Sequence, residues 1–107
     1  MVSLEQARQL ALAFPEAVEQ DHHGRPSFCV AGKIFATLWD EEHMNVMLDE
    51  GGIRTAVHGD GETYEEVWWG KRLTAVRVDL TRAQAELLAE LLSDAWESKA
   101  PKGLLPS

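Results

Sequence analysis

Apolar and polar residues alternate in two short runs between residues 27 and 39, and a period of two is typical of β-strands. Ala31 and Gly32 separate the runs, and a connection this short, with a glycine that tolerates positive φ, joins only antiparallel neighbours. Residues 27–40 therefore predict a β-hairpin. The same alternation returns at Met44, Val46 and Leu48, so the pattern predicts a three-stranded meander.

The second half of the chain predicts two further strands. Residues 64–69 form the fourth, residues 73–79 form the fifth, and Gly70 begins the turn between them. The glycine-rich segment 49–63 predicts turns, with at most one helical turn over residues 53–57. Residues 16–26 are polar and predict an irregular connection.

Helical spacing of apolar residues appears only near the two termini. Ser3 with Gln6 is a capping-box pattern, and it predicts a first helix from about Leu4 to Ala13. Thr81 with Gln84 has the same pattern and predicts the start of a long final helix.

The apolar stripe of that final helix contains Leu88, Leu92 and Trp96, and Pro101 ends it. The order of elements predicts one α+β domain over residues 1–107. Its antiparallel sheet has about five strands, and the N- and C-terminal helices pack on one face.

Several of these segments together resemble one known family. They are HGRPSF, GK and FATLW in the first half, WWGKRLTAVRVDL in the second, and DAWESKAPKGL at the end of the last helix. The chain resembles the MmcQ/YjbR family along nearly its whole length. The resemblance implies a frataxin-like fold and, because the family is described as a double-wing form, binding to double-stranded DNA. It implies no catalytic residue, and the segment between Leu48 and Trp68 is shorter than the family's insert.

The amino-acid composition limits the kinds of partner that the protein can bind. The chain has 10 Lys and Arg against 18 Asp and Glu, a formal charge of −8, so it repels polyanions at long range and any DNA binding is expected to be weak. The absence of long apolar runs predicts no membrane association. The single cysteine, with no signal-peptide pattern at the N-terminus, favours a cytoplasmic protein.

The cations are placed at the hairpins. Arg25 and Lys33 flank the first, Lys71 and Arg72 lie in the turn of the second, and Arg77 lies on its outer face. Two glycine-containing turns that carry cations suit contacts with phosphates, which depend on charge rather than on base sequence. The alternative is that these residues only solubilise exposed turns.

Lys99 also carries positive charge, and it is expected to lie away from both turns. It is therefore not included among the predicted DNA contacts.

Large side chains predict a second possible binding surface. Phe35, Trp39, Met47 and Trp69 are expected on the sheet face opposite the helices, where an uncovered apolar patch would bind a protein or a small ligand. The alternative is that segment 49–63 folds over that face.

No group of residues predicts catalysis, a metal or a cofactor. His22, His23 and His43 have acidic neighbours, but adjacent residues on extended chain point apart and do not converge on an ion. Cys29 on a strand predicts a small packing residue. We therefore expect a binding protein that is not an enzyme.

Overall fold

The computed structural model describes residues 1–104, which form a six-stranded antiparallel sheet and three helices. The helices are α1 (Leu4–Leu12), α2 (Glu50–Gly59) and α3 (Ala85–Lys99), followed by a 3₁₀ turn (Lys102–Leu104). The strands are β1 (Val18–His22), β2 (Arg25–Val30), β3 (Lys33–Leu38), β4 (His43–Met47), β5 (Tyr64–Trp69) and β6 (Arg72–Asp79). Their spatial order is β1-β2-β3-β4-β6-β5.

The predicted α+β class and the two hairpins are confirmed, but the sheet has one more strand than expected. β1 pairs with β2 in the segment that the sequence predicted to be irregular. All five of its residues are exposed, so this edge strand has no buried face and no apolar alternation. His23 and Gly24 both have positive φ, and they form the tight turn into β2.

All three helices pack on one face of the sheet. α1 contributes Ala7 and Ala11 to the core and packs against α3, while α3 contributes its predicted stripe and lies over β3 and β4. Three other buried apolar residues, Cys29, Val67 and Ala75, are absent from this core cluster, because they point to the opposite face. We call that opposite face the open face.

Segment 49–63 contains a ten-residue helix rather than the predicted turns. The Asp49 carboxylate caps α2 by accepting a hydrogen bond of 2.7 Å from the backbone N–H of Gly52. Ile53 is buried in the same core cluster as α1 and α3. The segment therefore lies on the helix side, and the alternative that it folds over the open face is wrong.

The two predicted capping boxes have different outcomes. Ser3 and Gln6 form one at the start of α1, as predicted. α3 begins at Ala85 without a side-chain cap, and the Thr81 hydroxyl instead donates a bond of 2.6 Å to Asp79. The capping-box prediction at Thr81 and Gln84 is wrong, because a local turn after β6 already uses the hydroxyl.

Candidate functional site

The two cation-bearing hairpin turns lie at the same end of the sheet. β2 is antiparallel to β3, β4 is antiparallel to both β3 and β6, and β5 is antiparallel to β6. β2, β4 and β5 therefore run in one direction, so the turns that follow β2 and β5 meet at one end. We call this the wing end. Three strand spacings separate the two turns, which is about 14 Å.

Three of the five predicted DNA-contacting residues lie at the wing end. Lys33 and Arg72 are the first residues of β3 and β6, directly after the two turns, and Lys71 lies in the β5–β6 turn. Within residues 1–104, none of the three forms an ion pair. Their charges are therefore available to an anionic partner.

Lys99 belongs to the same region, contrary to the expectation from the sequence. A surface cavity of about 460 Å³ is lined by Lys71, Arg72 and Lys99, because α3 ends beside the β5–β6 turn. Asp49 and Glu50 line this cavity as well, so acidic groups border the cations. The wing end thus carries charges of both signs, with the cations of the turns and of α3 next to the carboxylates at the start of α2.

The other two predicted contacts, Arg25 and Arg77, lie far from the wing end. Arg77 is five residues along β6 from Arg72, about 16 Å at the usual rise of a strand. Arg25 begins β2 at the end opposite the wing end. The five predicted cations therefore do not form one surface.

Arg25 and Arg77 instead meet at Trp39, and we call these three residues the Trp39 cluster. The guanidinium carbons lie 3.9 Å (Arg25) and 4.4 Å (Arg77) from the indole ring centroid, in the geometry of cation–π contacts. The Arg25 Nε–H donates to the carbonyl oxygen of Trp39 at 3.0 Å. The Arg77 Nε–H donates to Oδ1 of Asn45 at 3.0 Å, and its Nη1 lies 3.7 Å from the Glu65 carboxylate.

The four residues predicted for a binding face differ in the structure in how much of each side chain is exposed. Trp39 is 37% exposed and Trp69 is 63% exposed. The Trp68 indole bonds to Glu66, which pairs with Arg54 of α2, so Trp68 lies on the helix side. Trp69, the next residue along the strand, consequently faces the open side.

Met47 is half-buried and shares the open face with Asn45, two residues earlier on β4. Phe35 is fully buried and packs edge-on against Phe14, with 6.3 Å between the ring centroids. A β-bulge makes Phe35 the extra residue of β3, since Phe28 pairs with Ala36 and the next pair joins Cys29 to Ile34. The prediction of Phe35 as a binding residue is therefore wrong.

Two further groups of candidate residues show no reactive arrangement. Cys29 is a buried free thiol whose pKa is raised by burial, which makes the nucleophilic thiolate less available. Nδ1 of His43 lies 2.8 Å from Oδ1 of Asp40. Among residues 1–104, no three His, Cys, Asp or Glu side chains lie close enough together to bind a metal ion.

Among the helices described, none is long and apolar enough to cross a membrane. This agrees with the apolar runs of the sequence, all of which are short.

An antiparallel sheet with three helices on one face and two cation-bearing hairpin turns at one end defines a small α+β protein. The model of the YjbR family matches residues 12–98, and the chain belongs to that family. The crystal structure of Deinococcus radiodurans protein DR2400, whose domain is described as DUF419, has the same fold. Its TM-score is 0.80 at 18% identity, over 98% of this chain and 83% of that one. No curated protein matches this chain.

Proposed function

We propose that this protein acts by binding double-stranded DNA through the wing end, without catalysing a reaction. The observation that supports this most is that the two cation-bearing turns lie at one end of the sheet, about 14 Å apart. That spacing is close to the width of the major groove, about 12 Å, so one turn can approach the phosphates on each side of it.

The charge distribution supports binding at this end rather than elsewhere. Lys33, Lys71, Arg72 and Lys99 concentrate positive charge there, while the formal charge of the whole chain is −8. A duplex would be repelled at long range and attracted locally at the wing end. We therefore expect contacts with the phosphate backbone, little dependence on base sequence, and dissociation constants on the order of 10⁻⁶ M or weaker at physiological salt.

The test is fluorescence anisotropy with a short labelled duplex at two salt concentrations. Lys71→Glu with Arg72→Glu should abolish binding. The matched control is Arg8→Glu with Arg82→Glu, which makes the same change in net charge at residues that form surface ion pairs and lie in neither turn. No binding at low salt, or equal loss in both double variants, would contradict binding through the wings.

A second candidate function uses the open face. The Trp39 cluster presents two arginines and a partly exposed indole on a face that no helix of residues 1–104 covers. This arrangement favours a binding module for a protein or small ligand. The same anisotropy experiment distinguishes the two functions. A protein that binds DNA through the wing end must lose affinity in Lys71→Glu with Arg72→Glu. A protein that uses only the open face is not expected to bind the duplex at all.

A further inference from the structure

The Trp39 cluster holds two cations close together on an acidic protein. Both guanidinium carbons lie within 4.4 Å of one ring centroid. The two guanidinium carbons are therefore at most about 8.3 Å apart, and like charges within this distance repel each other. The indole compensates part of this repulsion through its π-face, and an anion that both arginines bind would compensate more.

The orientation of both guanidinium groups is fixed before any ligand arrives. Each uses its Nε–H for an internal hydrogen bond, Arg25 to the Trp39 carbonyl and Arg77 to the Asn45 amide oxygen. Each group also lies over the indole. Side chains that are already ordered lose less entropy when they bind a ligand.

The outer donors of both arginines remain available. A guanidinium has five N–H donors, and within residues 1–104 no hydrogen bond engages the Nη atoms of Arg25 or Arg77. Glu65, whose side chain is 69% exposed, is the one carboxylate of those residues within 4 Å of either group, at 3.7 Å from Arg77. An exposed contact of this length is weak, so an incoming oxyanion can replace it.

We propose that the Trp39 cluster is a binding site for a small molecule that carries a phosphate or carboxylate group. Planar guanidinium groups match both oxyanions through paired N–H···O bonds, and a lysine in the same place lacks this geometry. The proposal is independent of DNA binding, because the cluster lies about 16 Å from the turns of the wing end.

The test follows the side-chain N–H resonances of Arg25, Arg77 and Trp39 by NMR while inorganic phosphate or citrate is added. Potassium chloride at equal ionic strength is the control for screening. The indole N–H signals of Trp68, Trp69 and Trp96 are internal controls, since those rings lie outside the cluster. We expect saturable shifts at the cluster with phosphate or citrate and none with chloride. The probe that binds more tightly shows whether the site prefers a phosphate or a carboxylate ligand.

Arg77→Lys keeps the positive charge but removes the paired N–H donors of the guanidinium group. It should weaken the binding of the tighter-binding probe about tenfold or more. Lys71→Gln with Arg72→Gln removes the same charge as Arg25→Gln with Arg77→Gln, is the control for that double variant, and should leave the binding unchanged. Shifts that do not saturate, that chloride reproduces, or that survive Arg25→Gln with Arg77→Gln would overturn the proposal.

A labelled duplex distinguishes this proposal from the proposed function. If the duplex shifts the cluster resonances and both the arginine and the wing variants abolish those shifts, the cluster is part of a DNA surface and the small-ligand site is overturned. If DNA binding fails while the phosphate or citrate shifts persist, the proposed function fails and the site at Trp39 stands.

Discussion

The indole N–H of Trp96 donates a hydrogen bond of 3.0 Å to the carbonyl oxygen of Pro15. Trp96 also stacks on Phe14, with 6.0 Å between the ring centroids and an angle of 21°. One side chain of α3 therefore holds the chain segment that follows α1, 81 residues earlier in the sequence. With only 4% of its surface exposed, Trp96 is part of the core, as its place in the apolar stripe predicted.

Truncation of Trp96 should strongly destabilise the protein. Trp96→Ala removes the stack and the hydrogen bond, and it should lower the free energy of unfolding by about 3 to 5 kcal/mol. Trp96→Phe keeps an aromatic ring but loses the donor and part of the buried ring volume, so a smaller decrease of about 1 to 3 kcal/mol is expected. Urea unfolding followed by circular dichroism measures both, and an unchanged midpoint for Trp96→Ala would contradict the core role.

Phe35 should affect stability rather than binding. Because the ring is fully buried against Phe14, Phe35→Ala should cost about 3 to 5 kcal/mol of unfolding free energy. Trp69→Ala is the control, since its ring is 63% exposed and its removal should change stability by about 0.5 kcal/mol or less. A loss for Phe35→Ala as small as the one expected for Trp69→Ala would show that Phe35 is not a core residue.

Lys99 should contribute to DNA binding if the wing end is the contact surface. It lines the same cavity as Lys71 and Arg72, so Lys99→Glu should weaken binding to the duplex and reduce its dependence on salt. Arg82→Glu makes the same charge change at a residue paired with Glu62, and it serves as the control. Anisotropy titrations that give the same affinity for both variants would exclude Lys99 from the surface.

Three aspartates in turns have lowered pKa values, and these values determine how the stability of the protein should depend on pH. The Thr63 hydroxyl lowers the pKa of Asp60, the Thr81 hydroxyl lowers the pKa of Asp79, and the backbone N–H of Glu42 lowers the pKa of Asp40. A carboxyl pKa below its unfolded value means that the unfolded chain binds more protons. The stabilisation is therefore present above the usual value of 3.8 and is lost as pH falls through the folded pKa values.

The measurement is the thermal midpoint as a function of pH. It should begin to decrease below about pH 4 as these carboxylates become protonated. In Thr63→Val with Thr81→Val the decrease should be shallower, because two of the three pKa values return toward normal. The same slope in the double variant and in the unchanged protein would show that these hydroxyls do not set the acid response.

We expect no tight zinc or iron site. His22 and His23 have ring centroids 4.4 Å apart, yet no third ligand among residues 1–104 joins them. Metal analysis of dialysed protein should find less than one equivalent of either metal. A stoichiometric metal that is lost in His22→Ala with His23→Ala would contradict this expectation.

The sequence by itself determined those parts of the fold that local periodicity encodes. Alternation identified β3, β4 and β6 because one face of each strand is buried, and the Ser3 capping box marked α1 because its partners are three residues apart. The stripe of α3 predicted the burial of Trp96 for the same reason. The segments that resemble MmcQ/YjbR proteins identified the family that the comparison over residues 12–98 then showed.

Only the tertiary structure decided which residues share a surface. β1 depends on pairing with β2, and one bulge moves Phe35 from the open face into the core. The direction of α3 brings Lys99 to the wing end, and sheet register carries Arg77 away from it toward Trp39. These relationships join residues far apart in the chain, and strand pairing and helix packing create them. A pattern that is read along neighbouring positions cannot contain them.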